Sequence, residues 1–179
     1  METNDNRPLY IAFTDLEFTG LDPCKHEIIE CASVLADIAT LEEVGRFEAK
    51  IKPAHIETGD PESLRIAGYK EEGWQEAKNL PEVLGNFTQF VHNSIFACWT
   101  FYDWVFLVEG YKKCDLPNPL GYHVMDIFSI AFERLWQDAP IEKMRLSSLA
   151  ERFGLAKEPL PHRAINGAVL IWEIYKKLR

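Results

Sequence analysis

The sequence predicts an α/β domain: one mixed sheet covered by helices. Three observations predict it. Strand-like runs follow one another through short connections before Pro53, and helical and strand-like segments alternate after it. No linker, repeat or low-complexity segment divides the chain. With 179 residues it fits a single domain over 1–179, with a flexible N-terminus at 1–8.

The first strand is Tyr10 to Phe18, an apolar and aromatic run closed by Thr19-Gly20. Glu27 to Asp37 reads as a second, mostly buried strand. Phe47 to Pro53 reads as a third, with Phe47, Ala49 and Ile51 alternating against Glu48, Lys50 and Lys52. The short connections favour an antiparallel meander. Asp60-Pro61-Glu62 opens a short helix, with an N-cap, a first-turn proline and an acid at the positive end of the dipole. Leu80 to His92 repeats Val83, Leu84, Phe87, Phe90 and Val91 at helical spacing. Ser94 to Trp99 is a short apolar strand, and Tyr102 to Lys113 an amphipathic helix ending in basic residues. Tyr122 to Asp126 reads either as a fifth strand or as the start of a helix reaching about Trp136. Ile141 to Phe153 reads as a helix stopped at Gly154, and about Arg163 to Leu178 as the last helix. Trp74, Trp104, Trp136 and Trp172 fit helical core or interface positions, and Lys112-Lys113 and Lys176-Lys177 fit solvated helix ends.

A hydrophobic fraction of 47% and a charged fraction of 26% are those of an ordinary globular chain. The formal net charge of -9 disfavours a protein that coats nucleic acid through a basic footprint. It leaves room for an enzyme that grips a few phosphates and holds metal with its acids. The four cysteines, Cys24, Cys31, Cys98 and Cys114, form no C-x-x-C pair and read as unpaired thiols. No apolar run is long enough for a membrane span and the N-terminus has no signal core, so the expected location is cytoplasmic, with no membrane partner.

Asp15 and Glu17 interrupt the first strand. Side chains alternate along a strand, so both point to one face. Like charges at roughly 6 Å and an effective dielectric of about 20 repel by about 3 kcal/mol. A bound cation, a shared proton or full solvation would offset that. Asp103 follows the mid-chain strand, where a first-turn helix acid is the plainer reading. Asp126 fits an N-cap. His162 stands between Pro161 and the last helix, as many surface histidines do.

Taken in order, these residues resemble the DEDDh 3′–5′ exonucleases, over nearly the whole chain. Phe13-Thr14-Asp15-Leu16-Glu17-Phe18-Thr19-Gly20-Leu21-Asp22 resembles the family's D-x-E-x-T-G-L pattern, and Glu27-Ile28-Ile29-Glu30 follows it. Ala97 to Asp103 resembles the Trp-containing second motif of the branch that trims histone mRNA and small RNAs. Leu146 to Leu155 resembles the segment before the third motif. The resemblance implies a ribonuclease-H-like fold, with a five-stranded sheet in which an antiparallel meander adjoins parallel strands. It implies a site in which Asp15, Glu17 and Asp103 hold Mg²⁺ or Mn²⁺ in a two-metal arrangement. Glu17 and His162 are the implied catalytic residues, His162 acting on the attacking water. Thr19, Gly20 and Leu21 are implied to flank the terminal nucleotide of an RNA or single-stranded DNA 3′ end. Phe18 is a candidate to stack on a base, whereas Trp99 fits core packing better. Arg163 is either a phosphate contact or a surface arginine.

The third motif departs from the pattern. The family places an Asp five residues after the histidine; in His162-Arg163-Ala164-Ile165-Asn166-Gly167-Ala168 that position is Gly167. A mid-helix glycine costs up to about 1 kcal/mol relative to alanine, so helix propensity does not explain it. Mg²⁺ keeps several waters, so one lost ligand weakens a site without abolishing it. Catalysis, however, is sensitive to displacements of about 1 Å. The expectations are therefore an exonuclease weakened at one metal, a catalytically silent relative that binds nucleic acid or a protein, or a role outside nucleic acids in which the acidic pair is simply solvated. The oligomeric state is not legible, although an aromatic-rich chain is compatible with a homodimer.

Overall fold

Residue alternation along Tyr10–Phe18 (β1) sets the architecture. In the computed structural model, which describes residues 7–138 and 140–179, Ile11 and Phe13 face one layer of helices while Ala12 and Leu16 face another. β1 is the centre of a five-stranded sheet whose further strands are Ile28–Asp37 (β2), Glu43–Lys50 (β3), Ser94–Cys98 (β4) and Val124–Asp126 (β5), in the order β3-β2-β1-β4-β5. β1–β2 and β2–β3 are antiparallel; β1–β4 and β4–β5 are parallel. The helices are Pro61–Ile66 (α1), Leu80–Phe90 (α2), Tyr102–Lys113 (α3), Ile127–Leu135 (α4), Leu146–Arg152 (α5) and Ala164–Leu178 (α6). α4, α5 and α6 share the core with Ile11 and Phe13; α2 and α3 share the other with Ala12 and Leu16. None of the described helices is long and apolar enough to cross a membrane.

Each helix forms where its sequence supplies a start and an apolar stripe. Asp60 accepts from Ser63 N at 2.8 Å, Asn79 from Glu82 N at 2.9 Å and Asp126 from Ser129 N at 2.7 Å, so three expected starts are capped. The 122–126 segment resolves as both alternatives: β5 ends at Asp126, which then caps α4. In α6 the buried stripe runs Ala164, Gly167, Ala168, Ile171, Ile174 and Leu178, at helical spacing. Gly167 lies inside that stripe, against the sheet.

Three expectations shift. β3 runs over 43–50 rather than 47–53: Asp37 caps a tight turn through Ala39 and Thr40, Leu41 sits at φ 61, and the chain returns to pair early. Its exposed edge residues hide the alternation, and Ile51 makes only an isolated bridge to Lys78. The 141–153 helix divides into a 3-10 turn, Ile141–Lys143, and α5, because Arg145 is extended and Met144 turns into the core. Trp74 is buried in a 3-10 turn rather than a longer helix and donates to Ile29 O at 3.0 Å, while Trp136 stands 57% exposed just past α4, outside the core but not against the interface alternative. The thiols are free as expected. The expected flexible N-terminus lies outside the described residues except for Arg7 and Pro8.

Candidate active site

Strand register places the opening pair. β4 pairs with β1 only from Tyr10↔Ser94 to Phe13↔Ala97, so the last turns of β1 run past it. Asp15 and Glu17 continue the face of Ile11 and Phe13, towards the start of α6. They therefore project at the carboxyl ends of parallel strands, where open α/β sheets bind ligands. β4 leads through Trp99–Phe101 into α3, whose first turn carries Asp103, 7% exposed. The Leu16 backbone amide, beyond the reach of β4, lies close enough to the Asp103 carboxyl to favour its charged form. Asp126 holds the same corner from β5 by accepting from Phe101 N at 3.0 Å.

On the other side the site is closed by α6 and the loop before it. Glu30 lies directly opposite Glu17 in the β1–β2 register. Two like charges so placed are destabilising unless a cation intervenes. Arg163 intervenes: its guanidinium bonds Glu30 Oε1, while Ala164 N donates to Glu30 Oε2 at 3.2 Å. Arg163 is thus no free surface arginine: it is the half-buried anchor of the α6 start, with its guanidinium over the Trp74 ring. His162, 38% exposed at its side chain, is held at the mouth by its backbone N–H to Ile66 O at 2.9 Å. Its Nδ1 lies 3.7 Å from Glu158 Oε2, and Glu158 Oε1 accepts from Arg163 N at 3.1 Å.

Gly167 fits its place for a steric reason. A Cβ there would come within 2.5 Å of Asp15 Cγ and nearer still to one carboxyl oxygen. The Asp15 side chain occupies the room the glycine leaves. α6 and β1 thereby approach closely at the point where the family pattern puts another carboxylate.

The electrostatics are lopsided. Burial raises the Asp15 carboxyl well above the ordinary carboxylate range, and Asp103, Glu17, Glu158 and Glu30 push it further the same way. Burial is also the first cause that lifts Glu17 to about 8, followed by Glu158, Glu30 and Asp103, with Arg163 opposing. Burial raises Asp103 to about 7 against the hydrogen bonds it accepts. Such a set holds protons at neutral pH, or exchanges them for a hard cation. The donors are all carboxylate oxygens with one imidazole, which suits Mg²⁺ or Mn²⁺ and fits the group the family resemblance implies. Glu17, Glu158 and His162 each offer a ligand atom within 4.8 Å of the others.

The remaining predicted residues divide. Thr19 is buried, and its hydroxyl accepts from Glu27 N at 2.9 Å, so its side chain closes the turn behind β1. A Cβ at Gly20 would meet the His26 ring at 2.5 Å, so a larger residue there would have to push that ring aside. Leu21 is 67% exposed, and its carbonyl accepts from the Tyr102 hydroxyl, which brings the β1 loop against α3. Phe18 is already stacked on Phe106 at 3.9 Å between ring centroids, with part of its surface left open. Trp99 packs partly into the core, against Phe128. Sequence reasoning passed over Glu158. Its only signal was an acid four residues before His162, in a loop with no periodicity.

A family model described as an exonuclease, RNase_T, matches residues 12–175. Among curated proteins, Protein NEN2 of Arabidopsis thaliana is 25% identical over 174 residues, covering 93% of this chain and 34% of NEN2. The chloroplastic/mitochondrial exonuclease DPD1 of the same plant is 24% identical over 188 residues, covering 95% and 56%. The chain thus spans between about a third and a little over half of these relatives. Among solved structures, the nuclease domain of 3′hExo, a DEDDh family member bound to rAMP, superposes with a TM-score of 0.79 at 22% identity, covering 96% of this chain and 92% of that one. E. coli exonuclease I in complex with a dT13 oligonucleotide gives 0.80 at 14%, covering 94% and 40%. The ribonuclease-H-like exonuclease fold expected from the sequence is the fold observed.

Proposed function

The chain belongs to the RNase_T exonuclease family, of DEDDh type, and from that premise we propose that it is a metal-dependent 3′–5′ exonuclease acting on RNA or single-stranded DNA ends. Two observations support the reading: Asp15, Glu17 and Asp103 lie near enough, past the carboxyl ends of β1 and β4, for their charges to act on one another, and Glu17, Glu158 and His162 each offer a ligand atom within 4.8 Å of the others. When bound, Mg²⁺ or Mn²⁺ supplies Lewis-acid charge to the attacking and departing oxygens of the phosphodiester. Asp15, Glu17 and Asp103 would hold the cations. Cation binding displaces the protons that the raised carboxyls retain.

His162 takes the proton of the attacking water. Its Nδ1 faces Glu158, which favours a proton on that nitrogen and leaves Nε2 as the acceptor. The solved relatives with bound rAMP and dT13 support nucleic acid 3′ ends as the substrate class. The exposed Leu21 and the open part of Phe18 lie next to the pair and are suited to the terminal nucleotide. Gly167 favours a second reading, a relative with the fold but a weakened centre.

The test is incubation of 3′-exposed oligonucleotides with Mn²⁺ or Mg²⁺, beside Asp15→Asn. Metal-dependent shortening that Asp15→Asn abolishes supports the enzyme. Wild-type protein that binds the oligonucleotide and leaves it intact supports the silent relative instead.

A further inference from the structure

Position 167 leaves α6 without the carboxylate of the family pattern, and Glu158 stands beside the same centre on the preceding loop. Its side chain is only 11% exposed. One oxygen of Glu158, one of Glu17 and a ring nitrogen of His162 lie within 4.8 Å of one another. Among the charges around Glu17, Glu158 acts most strongly, ahead of Glu30 and Asp103. Glu158 caps the start of α6 by accepting from Arg163 N at 3.1 Å, but that duty needs an oxygen and not a charge. A neutral amide would serve it without repelling Glu17 and Asp15. A charged carboxylate at this depth, beside other carboxylates, is disfavoured unless a cation shares it.

We propose that Glu158 has taken over, from the loop, the cation-holding role that position 167 has given up on α6. This rests on the exonuclease reading of the site. It makes the loop around 158, tied to α6 through Arg163 N and to α1 through His162 N, part of the metal-holding shell. The donor set then regains a carboxylate without crowding Asp15, whose side chain fills the space above Gly167.

The variant Glu158→Gln separates the roles, because the amide oxygen keeps the bond from Arg163 N and only the charge is lost. Calorimetric titration of the full chain with MnCl₂ should show affinity reduced at least tenfold. The melting temperature in EDTA should rise, since a repelling charge is gone, while the rise produced by Mn²⁺ should shrink. Adding Gly167→Asp to Glu158→Gln should recover part of the Mn²⁺ affinity. Unchanged Mn²⁺ affinity in a folded Glu158→Gln protein overturns the proposal, including the case in which only the pH profile of hydrolysis moves, as a pure orienting role for His162 requires. If wild type binds Mn²⁺ and degrades oligonucleotides and Glu158→Gln matches it in affinity, this inference alone falls. If wild type takes up no Mn²⁺, the exonuclease reading falls with it.

Discussion

Replacing Gly167 by Asp restores the family's residue and should nonetheless destabilise the metal-free protein. The new Cβ lands within 2.5 Å of Asp15 Cγ, so the Asp15 side chain must leave its rotamer. An off-rotamer side chain costs about 1 kcal/mol. Exchanging a helical glycine for a better helix former returns at most about 1 kcal/mol. The deciding effect is a second buried carboxyl beside one that already clings to its proton: the new acid must take up a proton itself or stay charged, at a cost of up to about 4 kcal/mol for like charges about 4 Å apart at an effective dielectric of about 20. Rotation towards solvent and salt screening reduce that, leaving a net loss of about 2–4 kcal/mol. For a chain of this length that corresponds to a melting point lowered by roughly 5–15 °C in EDTA at pH 8. Mn²⁺ should recover most of the loss, and Gly167→Ala, which has the Cβ without the charge, should lose far less. The assay is thermal unfolding by circular dichroism of the three proteins with EDTA and with Mn²⁺. A Gly167→Asp protein as stable as wild type without metal would refute the close approach of Asp15 to position 167 and the repulsion argued from it.

Other expectations follow from the same contacts. The folded-state values of Glu17, about 8, and Asp103, about 7, lie above the ordinary 4.5 and 3.8, so the folded state keeps protons that the unfolded chain has released. Metal-free stability should therefore fall as pH rises from about 4.5 through about 8, and Mn²⁺ should flatten that slope; melts in EDTA that are level across the range contradict it. Arg163→Ala leaves Glu30 buried without its cation and should cost about 2–4 kcal/mol by urea unfolding. Asp126→Ala removes the α4 cap and the bond from Phe101 N, and should cost about 1–2 kcal/mol with Mn²⁺ affinity little changed. Thr19→Val should lower stability by about 1 kcal/mol through the lost turn bond; a selective effect on KM with stability intact would contradict that structural role.

Much of the fold was legible because its signals are local. The β1 alternation put Asp15 and Glu17 on one face, the caps at Asp60 and Asp126 marked helix starts, and the apolar spacing after Leu80 marked another. Where the structure departed, long-range packing decided. Met144 splits a helix by entering the core, and Trp74 is buried in a turn by its bond to Ile29. The site was legible as far as family spacing carried it, through Asp15, Glu17, Asp103 and His162. The Arg163 ion pair was not legible because its partner, Glu30, is distant in sequence, and only the register opposite Glu17 explains why a cation is needed there. The turn bond from Glu27 N to the Thr19 hydroxyl was not legible because it joins residues eight apart across an irregular loop. Glu158 escaped notice because loop residues carry no periodicity, and its place near Glu17 is set by the anchoring of α6. Gly167 was legible as a departure, but not as the space into which Asp15 leans.

The central claim is that these carboxylates, loaded with a divalent cation, remove nucleotides from a 3′ end. The most direct measurement follows a 5′-labelled single-stranded oligonucleotide with Mn²⁺, in parallel with EDTA and with Asp15→Asn. The account predicts a ladder shortening by single nucleotides from the 3′ end, present only with the metal and absent in Asp15→Asn. Shortening that persists in EDTA or in Asp15→Asn, or a substrate left at full length by a protein that binds Mn²⁺, contradicts it.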